Sequence, residues 1–145
     1  MTIFIGADHR GFELKNLIIE YLQDKNIRVE DMGNYEYVKE DDYVDYSKKV
    51  AEAVLQNPQE FLGIVICGSG VGVSIAANRY HSIRCALGFN EEQVIHARKK
   101  DHINMLALAA DYLDFEAAKT LIDGFINTAI IREQKYIRRV NKLDE

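Results

Sequence analysis

Five short strand-like runs at 2–7, 27–32, 62–67, 84–89 and 104–109 alternate along the chain with stretches whose apolar residues recur at helical spacing. Short continuous runs fit strands buried on both faces, and the wider periodicity fits amphipathic helices. Helices are expected at 11–24, 46–56, 71–80, 91–100 and 115–127; in the first, Phe12, Leu14, Leu17, Ile18 and Tyr21 mark the apolar side. Repeated strand-then-helix units predict an α/β fold, a parallel five-stranded sheet covered by helices on both faces, in one domain spanning 1–145. Beyond the fifth helix, Lys135, Arg138, Arg139 and Lys142 recur at helical spacing, so a C-terminal helix with one basic face is expected. Such a face is either solvated or a place for phosphate. The long irregular segment 33–45, rich in Asp, Glu and Tyr, is either a surface loop or the border of a site.

The third apolar run ends in Cys67 and opens directly into Gly68, Ser69, Gly70, Val71 and Gly72. Ligands of open α/β sheets bind at the carboxyl ends of the strands. Glycines there let backbone N–H groups approach a ligand, and the helix that follows adds the positive end of its dipole, so the loop is a candidate anion cradle. The same field favours thiolate over thiol, which makes Cys67 a candidate nucleophile or base; the alternative is a buried structural cysteine beside a tight turn. The first run ends similarly, in Gly6, Ala7, Asp8, His9, Arg10 and Gly11. Asp8 and His9 are therefore either an N-cap with a surface neighbour or members of a pocket facing Cys67.

Several phosphate chemistries fail on spacing. A Walker loop needs Lys and Ser or Thr after its last glycine, where Val73 and Ser74 stand. Val73 also occupies the third glycine of a dinucleotide fingerprint and the arginine of a Cys-x5-Arg phosphatase, and Cys67 stands where a phospho-receiver needs Asp.

Composition narrows the field further. With 18 Lys and Arg against 23 Asp and Glu, the net charge is −5, which argues against a general nucleic-acid surface. No apolar run approaches a membrane span, so a cytoplasmic protein is expected. Cys67 closes the third strand while Cys85 begins the fourth, roughly 15 Å apart at about 3.3 Å per residue. A disulfide needs Cα atoms within about 7 Å, so none is expected. Two cysteines without a Cys-x-x-Cys motif and four histidines give no structural zinc site.

The segment Gly6 to Lys15 and the run from Ile66 to Gly72 together resemble the ribose-5-phosphate isomerase B and galactose-6-phosphate isomerase family. The likeness continues through Asp42, Tyr43, Ala76, Ala77, Asn78 and the basic tail. It implies a Rossmann-like sandwich with strand order 2-1-3-5-4, and a dimer or tetramer with active sites at a subunit interface. It implies a small sugar phosphate as ligand, and no metal or cofactor. The implied activity is aldose–ketose isomerisation, ribose 5-phosphate to ribulose 5-phosphate, with Cys67 moving the proton between C1 and C2 and Ser69 relaying the hydroxyl proton. Gly68, Gly70 and Gly72 would cradle the substrate, Asp8 and Tyr43 line the sugar, and His9, Lys135 and Arg139 contact the phosphate.

The chain also departs from the pattern. Lys100 and Asp101 stand where the family carries a ring-opening His and an Asn, with His102 two positions later; Asp111 replaces a basic phosphate ligand, and Tyr136 replaces a His of the tail. Several of these positions belong to the neighbouring subunit's contribution in the family. Two expectations follow: His102 takes the ring-opening role from a shifted loop, or the chain is the Cys-bearing partner of a homologous, His-bearing subunit in a two-chain galactose-6-phosphate isomerase. A non-catalytic sugar-phosphate-binding protein is a third.

Overall fold

The computed structural model describes all residues, 1–145. In chain order it contains β1 (Thr2–Ala7), α1 (Phe12–Asp24), β2 (Arg28–Asp31), α2 (Tyr43–Leu55), β3 (Phe61–Cys67), α3 (Val71–Ala77), β4 (Cys85–Leu87), α4 (Glu91–Lys100), β5 (Met105–Ala109), α5 (Phe115–Ile126) and α6 (Gln134–Asn141). The sheet is fully parallel in the order β2-β1-β3-β5-β4, as expected. No helix is long and apolar enough to cross a membrane.

Alternation along the strands divides the interior into two layers. Ile3, Ile5, Ile64, Ile66, Leu106 and Leu108 point to the side covered by α1, α4 and α5, which bring Ile18, Leu22, Val94, Ile122 and Phe125. Val65, Cys67, Met105 and Ala107 point to the other side, under Val50, Ala51 and Val54 of α2 and Val73 and Ala77 of α3. Every strand residue of β5 is buried, so its apolar run has no polar alternation because neither face meets water.

Two boundaries differ in ways that matter. Helix α2 begins at Tyr43 rather than 46, because Asp42 already has extended backbone angles (φ −99°, ψ 115°) and serves as the N-cap. Tyr43 is thereby fixed on a helix. Helix α3 ends at Ala77 rather than 80, where the Asn78 side chain donates to the Ser74 and Cys85 carbonyls and accepts from the Cys85 N–H, tying the chain to β4. Both cysteines are free.

Candidate active site

Cys67 is the last residue of β3, and the register aligns it with Ala109 at the end of β5 while Ala7 of β1 lies opposite Ile66. Three strand ends therefore meet here. A cavity of about 390 Å³ opens over them, lined by Asp8, Arg10, Tyr43, Cys67, Gly68, Ser69, Gly72, Asp111 and Tyr112. Cys67 itself is 5% exposed.

The loop after the thiol is built for close approach. On the cavity wall the N–H groups of Gly68, Ser69 and Gly72 have no acceptor within the chain, so they form a set of donors beside Cys67. Gly70 adopts φ +72°, and a β-carbon there would fall 2.5 Å from Leu87 Cδ1, so only glycine fits the turn. Gly70 thus shapes the loop and is absent from the cavity wall. Gly72 lies under Tyr43, where a β-carbon would come 2.7 Å from the ring. The Ser69 hydroxyl accepts from the Val71 N–H at 3.2 Å and stays exposed to the cavity.

Asp8 does both things considered for it. Its carboxylate accepts from the N–H groups of Arg10 (3.0 Å) and Gly11 (3.2 Å), holding the turn into α1, and it also lines the cavity. Burial pushes its pKa above the ordinary carboxylate value, against the Gly11 and Arg10 donations and the His9 charge, which act the other way. His9 is turned differently. Its Nδ1 lies 2.8 Å from Asp41 Oδ1, its N–H donates to the same oxygen at 2.9 Å, and its ring meets Tyr37 edge-on. Asp8, His9 and Asp41 bring three ligand atoms within 4.8 Å of one another, yet each is already engaged in these hydrogen bonds, so the group is a network anchoring the 33–42 segment. Lys15 adds a second anchor: fully buried, it donates at 2.7 Å to both Asp31 carboxylate oxygens and to the Asn34 carbonyl.

The remaining expected residues gather elsewhere. Gly63 pairs with Met105, so the segment preceding β5 lies at the amino edge of the sheet, about 13 Å from the level of Cys67 at about 3.3 Å per residue. Lys100, Lys135 and Arg139 surround the Tyr136 ring there, at 5.9, 4.9 and 5.9 Å from its centroid. Asp101 is exposed beside them at the C-cap of α4. His102, expected to take the ring-opening role, also lies at this amino edge, away from the Cys67 of its own chain. It is 8% exposed, has φ +52°, and its Nε2 lies 3.0 Å from the Ile131 carbonyl, which ties the approach to α6 against the end of α4. Within one chain, then, Asp8, Tyr43, Cys67, Gly68, Ser69 and Gly72 come together, while Lys100, Asp101, His102, Lys135 and Arg139 form a separate group.

Three cavity residues, Arg10, Asp111 and Tyr112, had no assigned part in the sequence. Arg10 and Asp111 form an ion pair across the mouth, directly above Gly68. Arg10 follows Asp8 and His9 immediately, which was a usable signal; its pairing with Asp111 was not, because a contact between distant strand ends leaves no trace in local spacing.

Comparison with known proteins converges on one family. Residues 3–143 match the sequence profile described as Ribose/Galactose Isomerase. A probable ribose-5-phosphate isomerase B of Mycoplasma genitalium is 36% identical over 98% of this chain and 93% of its own, and the ribose-5-phosphate isomerase B of Mycobacterium leprae is 34% identical over 100% and 89%. Among solved structures, the ribose 5-phosphate isomerase of Thermotoga maritima superposes with a TM-score of 0.91 at 41% identity, covering 99% of this chain and 97% of that one. The Mycoplasma genitalium enzyme, with bound ribulose-5-phosphate, gives 0.93 at 35% identity, covering 98% and 93%. The thiol above its set of unpaired N–H groups is thus carried by a fold shared along nearly its whole length, and the chain belongs to the ribose/galactose isomerase family.

Proposed function

We propose that the chain is a cytoplasmic aldose–ketose isomerase that interconverts ribose 5-phosphate and ribulose 5-phosphate, with Cys67 as the base. The observation that carries this reading is Cys67 at the carboxyl end of β3, facing a cavity rimmed by N–H groups without acceptors. Family membership and a relative with bound ribulose-5-phosphate support it.

The chemistry follows from the geometry. On the open-chain aldose, the Cys67 thiolate takes the proton from C2, the electron pair enters the C1–C2 bond, and the carbonyl oxygen O1 becomes anionic. Loop N–H groups hold that oxygen. Ser69 passes the O2 proton to O1, and the Cys67 thiol returns its proton to C1, giving the ketose and restoring the thiolate. The basic group around Tyr136 suits a phosphate dianion, since clustered cations give charge-assisted hydrogen bonds. Because that group sits at the far edge of the same sheet, it is a second copy's cluster that completes each Cys67 cavity, in a homodimer or a tetramer built from one.

His102 gives ground for the second reading. Buried and bonded to Ile131, it leaves Lys100 as the group at the family's ring-opening position, as expected of a chain that borrows a His from a homologous subunit. Mass spectrometry of substrate incubated in D2O tests both: the purified chain should place deuterium at C1 and C2 of the ribose 5-phosphate and ribulose 5-phosphate pair. Exchange only after adding a His-bearing homologue, and on galactose 6-phosphate, would establish the two-chain form. Binding with no exchange under either condition would leave only a sugar-phosphate-binding protein.

A further inference from the structure

We propose that Arg10, held by Asp111, supplies the donor that faces the C1 or C2 oxygen as charge develops on it, so that the Arg10–Asp111 pair orients the sugar end of the substrate toward Cys67. This rests on the isomerase reading of the Cys67 cavity. Arg10 is the only cation among the residues that line it. Its placement is tight: a β-carbon built on Gly68 would lie 2.7 Å from Arg10 Nε, 2.9 Å from Arg10 Cδ and 2.7 Å from Asp111 Oδ2. The guanidinium therefore rests against the residue that immediately follows the thiol.

Backbone bonds fix Asp111 to the reacting loop, and the Asp8 carboxylate fixes Arg10 in the turn beside it. The Asp111 N–H donates to the Gly68 carbonyl at 3.0 Å and the Ala110 N–H to the Cys67 carbonyl at 2.9 Å, while the Arg10 N–H is held by Asp8. A guanidinium has five N–H donors, and Asp111 engages one edge; the Arg10 side chain is 57% exposed, so donors remain for a ligand. A donor already in position costs no reorganisation when the proton leaves carbon, which is the condition for strong stabilisation of an oxyanion.

The partner carboxylate sets the preference. From a distance the pair is neutral, and only at contact with the free guanidinium edge is it positive. That favours a small charge growing on a carbonyl oxygen and disfavours a phosphate dianion, which would meet Asp111 at close range. Phosphate is thereby directed away from Cys67, toward the Lys100, Lys135 and Arg139 group, and C1 and C2 toward it.

The test compares Arg10→Gln, Arg10→Lys and Asp111→Asn with the wild type in four readouts: kcat, KM, inhibition by a phosphorylated hydroxamate that mimics the planar enediolate, and competition by inorganic phosphate. Arg10→Gln should lower kcat on the order of 10² to 10³-fold. Hydroxamate affinity should fall in parallel, while KM and phosphate competition stay near wild type. Arg10→Lys should recover part of the loss and Asp111→Asn should lose less than Arg10→Gln. If Arg10→Gln does not fold, the same split is read from Arg10→Lys and Asp111→Asn. An unchanged kcat, or a loss confined to KM and phosphate competition, overturns the assignment. A wild type that exchanges no deuterium at C1 or C2 sinks the isomerase reading instead, before any Arg10 variant is compared.

Discussion

Cys67 and Cys85 show how little burial alone says about a thiol. Both point into the layer between the sheet and α2 and α3, and they are 5% and 9% exposed. Burial pushes the Cys85 thiol up to about 12, and its hydrogen bond with Ser74 does not offset that. Cys85 is therefore protonated throughout the neutral range, whereas Cys67 opens into a cavity of unpaired N–H groups. Treating the native protein with iodoacetamide at pH 8 should carboxamidomethylate Cys67 first, as read by peptide mass spectrometry, and ribose 5-phosphate should slow it. Modification of Cys85 ahead of Cys67 would contradict the assignment. At this scale the sequence was informative where function and local geometry coincide, as in Cys67 and its glycines. It was silent about the pairing of Arg10 with Asp111 and about the role of Asp41, because the first joins distant strand ends and the second depends on His9, thirty-two residues away.

Among the elements, the 33–42 segment carries the clearest dependence on a single side chain. Burial alone would raise the Asp41 pKa, but donation from the His9 backbone and ring, from Asn34 and from Tyr46 outweighs it, and the net shift is downward. A depressed carboxylate contributes stability that is present above its unfolded value, near 3.8, and is lost as pH falls through the folded value. Asp41→Asn should therefore be less stable than wild type at pH 6, by about 1 to 3 kcal/mol, and melt at a lower temperature. The gap should close as the pH drops below about 3.8, because the wild type then loses the same interactions. Parallel melting curves across that range would show that Asp41 holds nothing. The segment was expected to run to 45, and periodicity could not place its end, because Tyr43 and Val44 are exposed on the first turn of α2 and carry no apolar signal. Strands β1, β3 and β5 were far easier to read, since each is a nearly continuous apolar run, whereas β2 is Arg-Val-Glu-Asp.

For the whole molecule, strand order and both core layers follow from the alternating pattern of apolar runs and from the family resemblance, but the division of the site does not. Cys67 stands at one edge of the sheet and the basic group around Tyr136 at the other. Linear sequence lists these residues together; only the parallel register separates them. Under the proposed assembly, two variants damaged at different ends rescue each other: Cys67→Ala, and Lys135→Gln combined with Arg139→Gln, should each be nearly inactive, and their mixture should regain turnover once subunits exchange. A mixture as inactive as its components would mean that each site is built within one chain. The same separation reaches into gene dosage. Under the proposed assembly, a fold that keeps its thiol and its cations on opposite edges would make the newly synthesised chain an inert precursor, and the pairing of two copies would be the event that switches it on. Where the chain is scarce relative to the strength of that pairing, halving its synthesis removes more than half of the output.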